Sequence, residues 1–322
     1  MDIKVRVGTR GDIPALVDVE CSGVVKWYHF FDKGRGEEAS YDGLSSLERT
    51  MHGGPWMDLT ALTNYWRTIE QLGIIPLVAE IKGKVVGHLD VILTDELPLG
   101  RFLYLDVLTV HKAYRRRGVA TTLIREAEKL AKKKKAEFML VQPQRYEGPS
   151  GLTYRSCGFE KAFDTYQSET PVNHPKFPLG VQLVSIPQSQ EAPLKTHTMI
   201  CGWYNISAKK WYYAMNPDLE TLRALSCSDL ALSVLINKGT YFFHVRQNCF
   251  DHSKGTLSLW APASLNQKEI RIIFQVSKTV ASWLGIKTLK TKTIERHLPI
   301  LEKEEFEIKS KGEPYLIKNI NH

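Results

Sequence analysis

Residues 111–135 read HKAYRRRGVATTLIREAEKLAKKKK. Ten lysines and arginines stand there against Glu126 and Glu128, a surplus equal to the +8 formal net charge of the whole chain. The protein is therefore not generally basic; this segment is, and the remainder balances. The apolar run FLYLDVLTV (102–110) precedes it and suits a central strand buried on both faces. Beyond the arginines, Val119, Ala120, Leu123, Ile124, Ala127, Leu130 and Ala131 recur at spacings of three and four. That period predicts a helix with a single apolar stripe. The lysine run falls at its C-terminal end, where cations complement the helix dipole.

Working outward, the first 170 residues alternate strand and helix signals. IKVRVG is a short strand, the turn TRGD follows, and IPALVDVE has a helical pattern. PLVAEI and VVGHLDVIL read as a hairpin about Lys82-Gly83-Lys84. EFMLVQP supplies a strand, and GLTYRSCGFE a short helix closed by Gly158. SETPVNHPKFPLG, rich in proline, reads as a linker spanning 168–185. The same grammar then returns. LALSVLINKGTYFFHV matches the first hairpin, TLSLWAP is a strand, EIRIIFQVSKTVASWL an amphipathic helix and IKTLKTKTI another strand. LPILEKEEFE has the rhythm of GLTYRSCGFE, so the chain reads as an internal repeat. The expected domains are 1–170 and 171–322.

A hydrophobic content of 43% and a charged content of 24% are those of a globular protein. No secretory h-region and no long apolar run appears, which argues against secretion and membrane spanning. Cys21, Cys157, Cys201, Cys227 and Cys249 are widely spaced, odd in number and lack C-x-x-C. That pattern suits reduced thiols in a cytoplasmic protein and no metal site.

Strand, Arg115-Arg116-Arg117-Gly118-Val119-Ala120, helix has a direct physical meaning. Gly118 allows a backbone conformation and a close approach that a Cβ would obstruct. The first N–H groups of the helix lack internal partners and point outward as donors. Together they form a nest for a pyrophosphate, with arginine charge around it. R/Q-x-x-G-x-G/A in this setting resembles the acyl-CoA signature of the GNAT superfamily of N-acetyltransferases. YLDVLTVHKAYRRRGVATTLI and TYRSCGFE resemble the family's central strand with its following helix and its later tyrosine segment. The resemblance covers roughly residues 3–167. It departs at Glu147, seven residues before Tyr154, where the family often has an asparagine that contributes cofactor contacts.

The resemblance implies an α/β fold with a mixed α+β sheet, in two tandem GNAT-like domains. It implies an acetyl-CoA-dependent N-acetyltransferase acting on a primary amine by direct attack on the thioester, with no metal. Leu108, Thr109 and Val110 would pair along the pantetheine arm where the central strand splays from its neighbour. A backbone N–H of Val110 would polarise the thioester carbonyl. Arg115, Arg116, Arg117, Gly118, Val119, Ala120 and Thr121 would hold the pyrophosphate. Tyr104 and Asp106, placed by alternation on one face with Leu108 and Val110, are the alternative bases. Tyr154 would protonate the leaving thiolate. His88 and Asp90 are weaker candidates, read as structural. Residues 26–66, with Trp27, Tyr28, Phe30, Phe31, Tyr41, Trp56, Tyr65 and Trp66 interleaved with Glu37, Glu38, Asp42 and Asp58, either wall a cationic acceptor site or pack among themselves.

The second half serves as a control. APASLNQKEIRI has neither the glycine nor the arginines, and Ser264 with Gln267 reads as a capping box. The tyrosine is missing too. This half is therefore expected to be a degenerate domain that packs, closes the acceptor cleft or mediates a homodimer. Two other functions compete. A CoA-binding regulator without catalysis would keep the turn and lose the acceptor site. A nucleic-acid binder would use the basic helix, but no aromatics are interleaved with the basic run. The expected partner is thus a small-molecule or peptide amine.

Overall fold

The computed structural model describes residues 2–31, 34–173, 176–187, 189–203, 205–217, 226–237, 239–264 and 266–320. The chain forms two compact units. Met1–Thr94, Arg101–Lys161 and Leu316–His322 make one, and Asp95–Gly100 with Ala162–Tyr315 make the other. In order, the elements are β1 (Lys4–Val7), α1 (Ile13–Cys21), β2 (Trp27–Phe31), β3 (Gly34–Ala39), α2 (Ser46–Met51), α3 (Leu59–Gln71), β4 (Ile75–Ile81), β5 (Lys84–Glu96), β6 (Gly100–Val110), α4 (Val119–Lys133), β7 (Phe138–Val141) and α5 (Pro149–Ser156). Then come β8 (Glu160–Pro171), β9 (Gln182–Ser185), β10 (His197–Cys201), α6 (Ser207–Met215), β11 (Asp229–Ile236), β12 (Gly239–Asn248), β13 (Asp251–Pro262), α7 (Gln267–Trp283), β14 (Thr288–Ile294), α8 (Leu298–Lys303) and β15 (Glu307–Asn319).

The sheet of the first unit runs β1-β4-β5-β6-β7. Lys82 and Gly83, both at positive φ, make the two-residue turn between β4 and β5. β6 and β7 are parallel, as a strand–helix–strand crossover through α4 requires. The apolar stripe of α4 (Val119, Leu123, Ile124, Ala127) packs on Leu103 and Leu105 in one buried cluster. Residues 316–319 of β15 complete this sheet, pairing antiparallel with β7 from Leu316↔Val141 to Asn319↔Phe138.

The second unit repeats the grammar. β11 and β12 form the hairpin, β13 and β14 are parallel about α7, and β9 pairs β11 as β1 pairs β4. Two expectations change. The stretch 168–185 is not a linker throughout, because β8 pairs with β14 as far as Pro171↔Thr288 and β9 occupies Gln182–Ser185. Its buried inward positions, Ser168 and Thr170, are hydroxyl residues, so no apolar alternation marks the strand.

The thiols are also not all reduced, since Cys227 and Cys249 form a disulfide. The β11–β12 register sets Asp229 opposite Arg246, and Cys227 and Cys249 lie just beyond that pair, with their Cα atoms 5.3 Å apart. Cysteine spacing alone does not encode that register. Among the described residues, no helix is long and apolar enough to cross a membrane.

Candidate active site

The end of β6 is tied down at several points. His111 N–H donates to the Val86 carbonyl at 2.9 Å, and Lys112 N–H to Ser22 Oγ at 3.0 Å. Arg115 Nε donates to the Val110 carbonyl at 3.0 Å, so this arginine braces the turn. Arg117 lies over the Tyr114 ring at 5.6 Å. Arg116 has a φ of 63°, and Gly118, at φ 83° and ψ 1°, opens α4 from the left-handed region. No side chain caps α4, and its first internal bond is Thr122 N–H to the Gly118 carbonyl at 3.0 Å. The N–H groups of Val119, Ala120 and Thr121 therefore have no acceptor within the helix. A Cβ built on Gly118 meets nothing within 4 Å, so the ground before these donors is open.

The splay is visible in the pairing. β7 pairs β6 from Phe102↔Phe138 to Leu105↔Val141, whereas β6 continues to Val110. The second unit differs at both features. Its α7 is capped by Asn266, whose side chain accepts from Lys268 N–H at 3.0 Å. This replaces the expected Ser264–Gln267 capping box, because the helix begins at Gln267. The β13–β14 pairing stops at Thr256↔Lys290, and beyond it β10 pairs with β13 from Leu259 to Pro262. At Leu259 and Trp260 the other edge of β13 is occupied by β12, so β10 lies on the β14 side. Thr293 Oγ1 donates to the Ile200 carbonyl at 2.8 Å, and Gly202 N–H to the Lys292 carbonyl at 2.7 Å. An inserted strand thus fills this splay, whereas among the described residues no strand pairs with β6 past Leu105 on its β7 side.

Alternation along β6 does not hold to its end. Leu103 and Leu105 lie in the core beneath α4, and Leu108 and Val110 pack against the same cluster. Even and odd positions therefore exchange faces between Leu105 and Leu108. Thr109, reaching the Glu20 carboxylate on α1, confirms the new phase. Tyr104, 2% exposed between Leu103 and Leu105, consequently lies on the face opposite Leu108 and Val110, contrary to the strict period-two placement.

Tyr154 on α5 is buried in the cluster with Leu105, its ring 5.6 Å from Phe159. Burial first, then the nearby charges of Asp106 and Cys157, push its phenol above the usual range. Tyr154 thus feels the charge of Asp106. Glu147 turns to solvent and meets Arg155 at 3.3 Å.

In the aromatic region, Trp27 packs on Tyr41 and His52, and Arg49 lies 4.2 Å over Tyr41. Asp58 caps α3 through Ala61 N–H and pairs with Arg49 at 3.1 Å; Glu38 pairs with Lys26 at 2.7 Å. These two carboxylates are occupied within the fold. Phe31's side chain lies outside the described residues.

Sequence reasoning underrated one cluster. His88 lies between Asp90 (Nε2–Oδ1 2.8 Å) and Glu20 (Nδ1–Oε1 3.2 Å), and Thr109 Oγ1 donates to Glu20 Oε2 at 3.0 Å. His88 and Asp90 are fully buried. Burial alone would push the His88 pKa down, but the charge and hydrogen bond of Asp90, then those of Glu20, raise it to about 10. The H-x-D spacing within the apolar strand VVGHLDVIL is the signal that marks the pair; Glu20 comes from another element. Among the described residues, no group of three or more His, Cys, Asp or Glu is placed to hold a metal.

Fold and turn together define a protein with the acyl-CoA N-acyltransferase fold. Residues 41–159 match the acetyltransferase (GNAT) family, and this part of the chain is a GNAT domain. No curated protein sequence matches the chain. Among solved structures it is similar to a GCN5-related N-acetyltransferase from Anabaena variabilis ATCC 29413, with 14% identity over 99% of this chain and 73% of that one and a TM-score of 0.61. It is also similar to a GCN5-related N-acetyltransferase from Kribbella flavida, with 12% identity, 99% and 71% coverage and a TM-score of 0.59. At these identities the likeness is one of fold.

Proposed function

We propose that the first unit is an acetyl-CoA-dependent N-acetyltransferase that moves an acetyl group onto a primary amine of a small molecule or peptide. One contrast within the chain carries this reading. The first unit has an uncapped helix start at left-handed Gly118 beside a strand that runs on past the end of its pairing with β7, and the second has a capped start and β10 at the corresponding edge. The open ground before the Gly118 turn fits an anion approaching backbone donors.

Bound acetyl-CoA would supply the activated acetyl thioester. Gly118 and the N–H groups of Val119, Ala120 and Thr121 hold the pyrophosphate, with Arg116 and Arg117 adding charge. Arg115 keeps the turn against Val110. Leu108, Thr109 and Val110 offer backbone groups along the pantetheine arm. Tyr154, kept protonated by burial, donates a proton to the departing sulfur. Asp106 takes the proton from the acceptor ammonium; Tyr104 on the other face is a core aromatic. The second unit takes no CoA and has a structural role, including as a surface for a homodimer.

A thiol-release assay with acetyl-CoA and a panel of polyamines, aminoglycosides and peptides tests the reading. The expected result is release dependent on at least one amine, falling about a hundredfold in Tyr154→Phe. CoA binding with no release from any amine would instead make this unit a CoA-binding regulator.

A further inference from the structure

The edge of the second unit's sheet carries a pocket that the proposed chemistry does not use. β9 is the last strand of the order, and the register sets Val184, Ser233 and Phe242 abreast on β9, β11 and β12. Directly paired residues share a face, so these three side chains make one floor. Trp211 of α6 stands edge-on to Phe242 at 5.0 Å, and His197, at the start of β10, lies 5.0 Å from the same ring. The chain between β9 and β10 supplies the wall, with Ile186, Pro187 and Pro193. The pocket measures about 500 Å³, within the ~300–1,000 Å³ usual for a small organic ligand.

The lining decides what such a ligand must be, because most of its polar side chains are already engaged. Ser233 Oγ donates to the Val184 carbonyl at 3.1 Å, and Gln190 Nε2 to the Glu191 carbonyl at 3.2 Å. His197 Nε2 lies 2.8 Å from the Thr240 carbonyl and therefore carries the proton it donates. Its Nδ1, 2.8 Å from Thr196 Oγ1, accepts. Burial pushes the His197 pKa down, so the imidazole brings no charge at neutral pH. Glu191 is left as the one charged residue of the lining; it is exposed, and among the described residues it forms no ion pair. Apolar walls with one free carboxylate suit an organic cation. Its body buries against Phe242, Pro187 and Pro193, and its ammonium meets Glu191 while staying partly in water.

The same wall has a second attachment. Directly after Pro193, the Leu194 carbonyl accepts from Leu97 N–H at 2.8 Å, and Lys195 Nζ lies 3.5 Å from Asp95 Oδ2. Leu97 and Asp95 belong to Asp95–Gly100, the stretch that leads from β5 to β6 and is part of the second unit. We propose that this pocket is an effector site for a small organic cation with an aromatic or branched apolar body, whose binding orders the wall and, through Leu194, steadies the connection from β5 to β6. β6 carries Tyr104 and Asp106, so occupancy of the pocket reaches the candidate site along the chain itself. The pocket's chemistry does not depend on the acetyl-CoA reading.

Two probes test the proposal on the full chain, titrated without acetyl-CoA and followed by ligand-observed NMR. Phenethylammonium is a cation with an aromatic body, and 2-phenylethanol is its neutral analogue. The cation is expected to bind saturably and about threefold to fivefold more tightly than the alcohol, as suits an exposed carboxylate. Glu191→Gln is expected to remove that preference. Ser185→Trp, at an exposed lining position, is expected to abolish binding of both probes while β12 keeps its hydrogen-exchange protection. At saturation with phenethylammonium the Leu97 amide is expected to exchange more slowly. No binding, equal affinity for the two probes, or binding undisturbed in Ser185→Trp would overturn the ligand assignment. Unchanged exchange across 95–100 would overturn the link to β6. Because acetyl-CoA is absent, a chain that acetylates no amine leaves these outcomes unaltered.

Discussion

Leu316 offers a direct test of how the first unit is completed. It belongs to the last strand of the chain, yet it is fully buried in the cluster beneath α4 and pairs with Val141. Leu316→Ala removes most of a buried side chain where the sheet leaves little freedom to collapse. Large-to-small changes of this kind cost about 2–5 kcal/mol. The stability of a whole domain is about 5–15 kcal/mol, so the loss is a large fraction of it. Leu316→Asp adds an unpaired buried charge and is expected to unfold the first unit.

Hydrogen exchange followed by mass spectrometry supplies the readout. Amides of β7 and α4 are expected to lose protection in Leu316→Ala, well before those of α7 and β12. Leu179→Asp, at a fully exposed position, serves as a control and is expected to change nothing. Native protection of β7 in Leu316→Asp would refute the claim that this strand completes the first unit.

Other outcomes follow from the same structure. A Cβ on Gly87 would lie 2.7 Å from Val119 Cγ1 and 3.2 Å from Leu123 Cδ1, so Gly87→Ala is expected to cost about 1–3 kcal/mol by overpacking. Adding Val119→Ala should relieve part of that cost, and a double-mutant cycle showing simple additivity would contradict the close approach of α4 to β5. His88 holds its proton to about 10 against an ordinary 6.5, so its contribution to stability is complete below about 6.5 and lost as pH rises through 10. Denaturant midpoints measured from pH 7 to 10.5 should fall less steeply in His88→Gln; equal slopes would contradict the buried imidazolium. Asp12 is held down to about 2, chiefly by its hydrogen bond from Arg6, so its contribution is present above the ordinary 3.8 and lost as pH falls through 2. Arg6→Gln should therefore bring acid unfolding on at a higher pH.

Much of this architecture is legible in the sequence because it depends on local pattern. The period of the α4 stripe, the Lys-Gly turn of the first hairpin and the arginine-glycine turn each state their structure within a few residues. The resemblance of 104–124 to an acyl-CoA signature draws on the same short-range pattern. The misread features depend on pairing between distant segments. Residues 316–319 do not announce that their partner is β7, and the insertion of β10 beside β13 leaves no mark on either strand's composition. The face exchange along β6 defeats strict alternation and moves Tyr104 away from Leu108 and Val110. The Cys227–Cys249 bond depends on a hairpin register. In the candidate site, Gly118 and Tyr154 are marked by motif, whereas the link from Thr109 to His88 needs α1 in place to supply Glu20.

The most direct test of the account is a calorimetric titration of CoA into the wild-type chain and into Gly118→Asp. Aspartate places bulk and negative charge before the uncapped donors of α4 and adopts the left-handed conformation less readily than glycine. Saturable binding of one CoA per chain is expected in the wild type and none in the variant, with α7 protection retained. Equal CoA affinity in the two proteins, or two CoA molecules per wild-type chain, would contradict it.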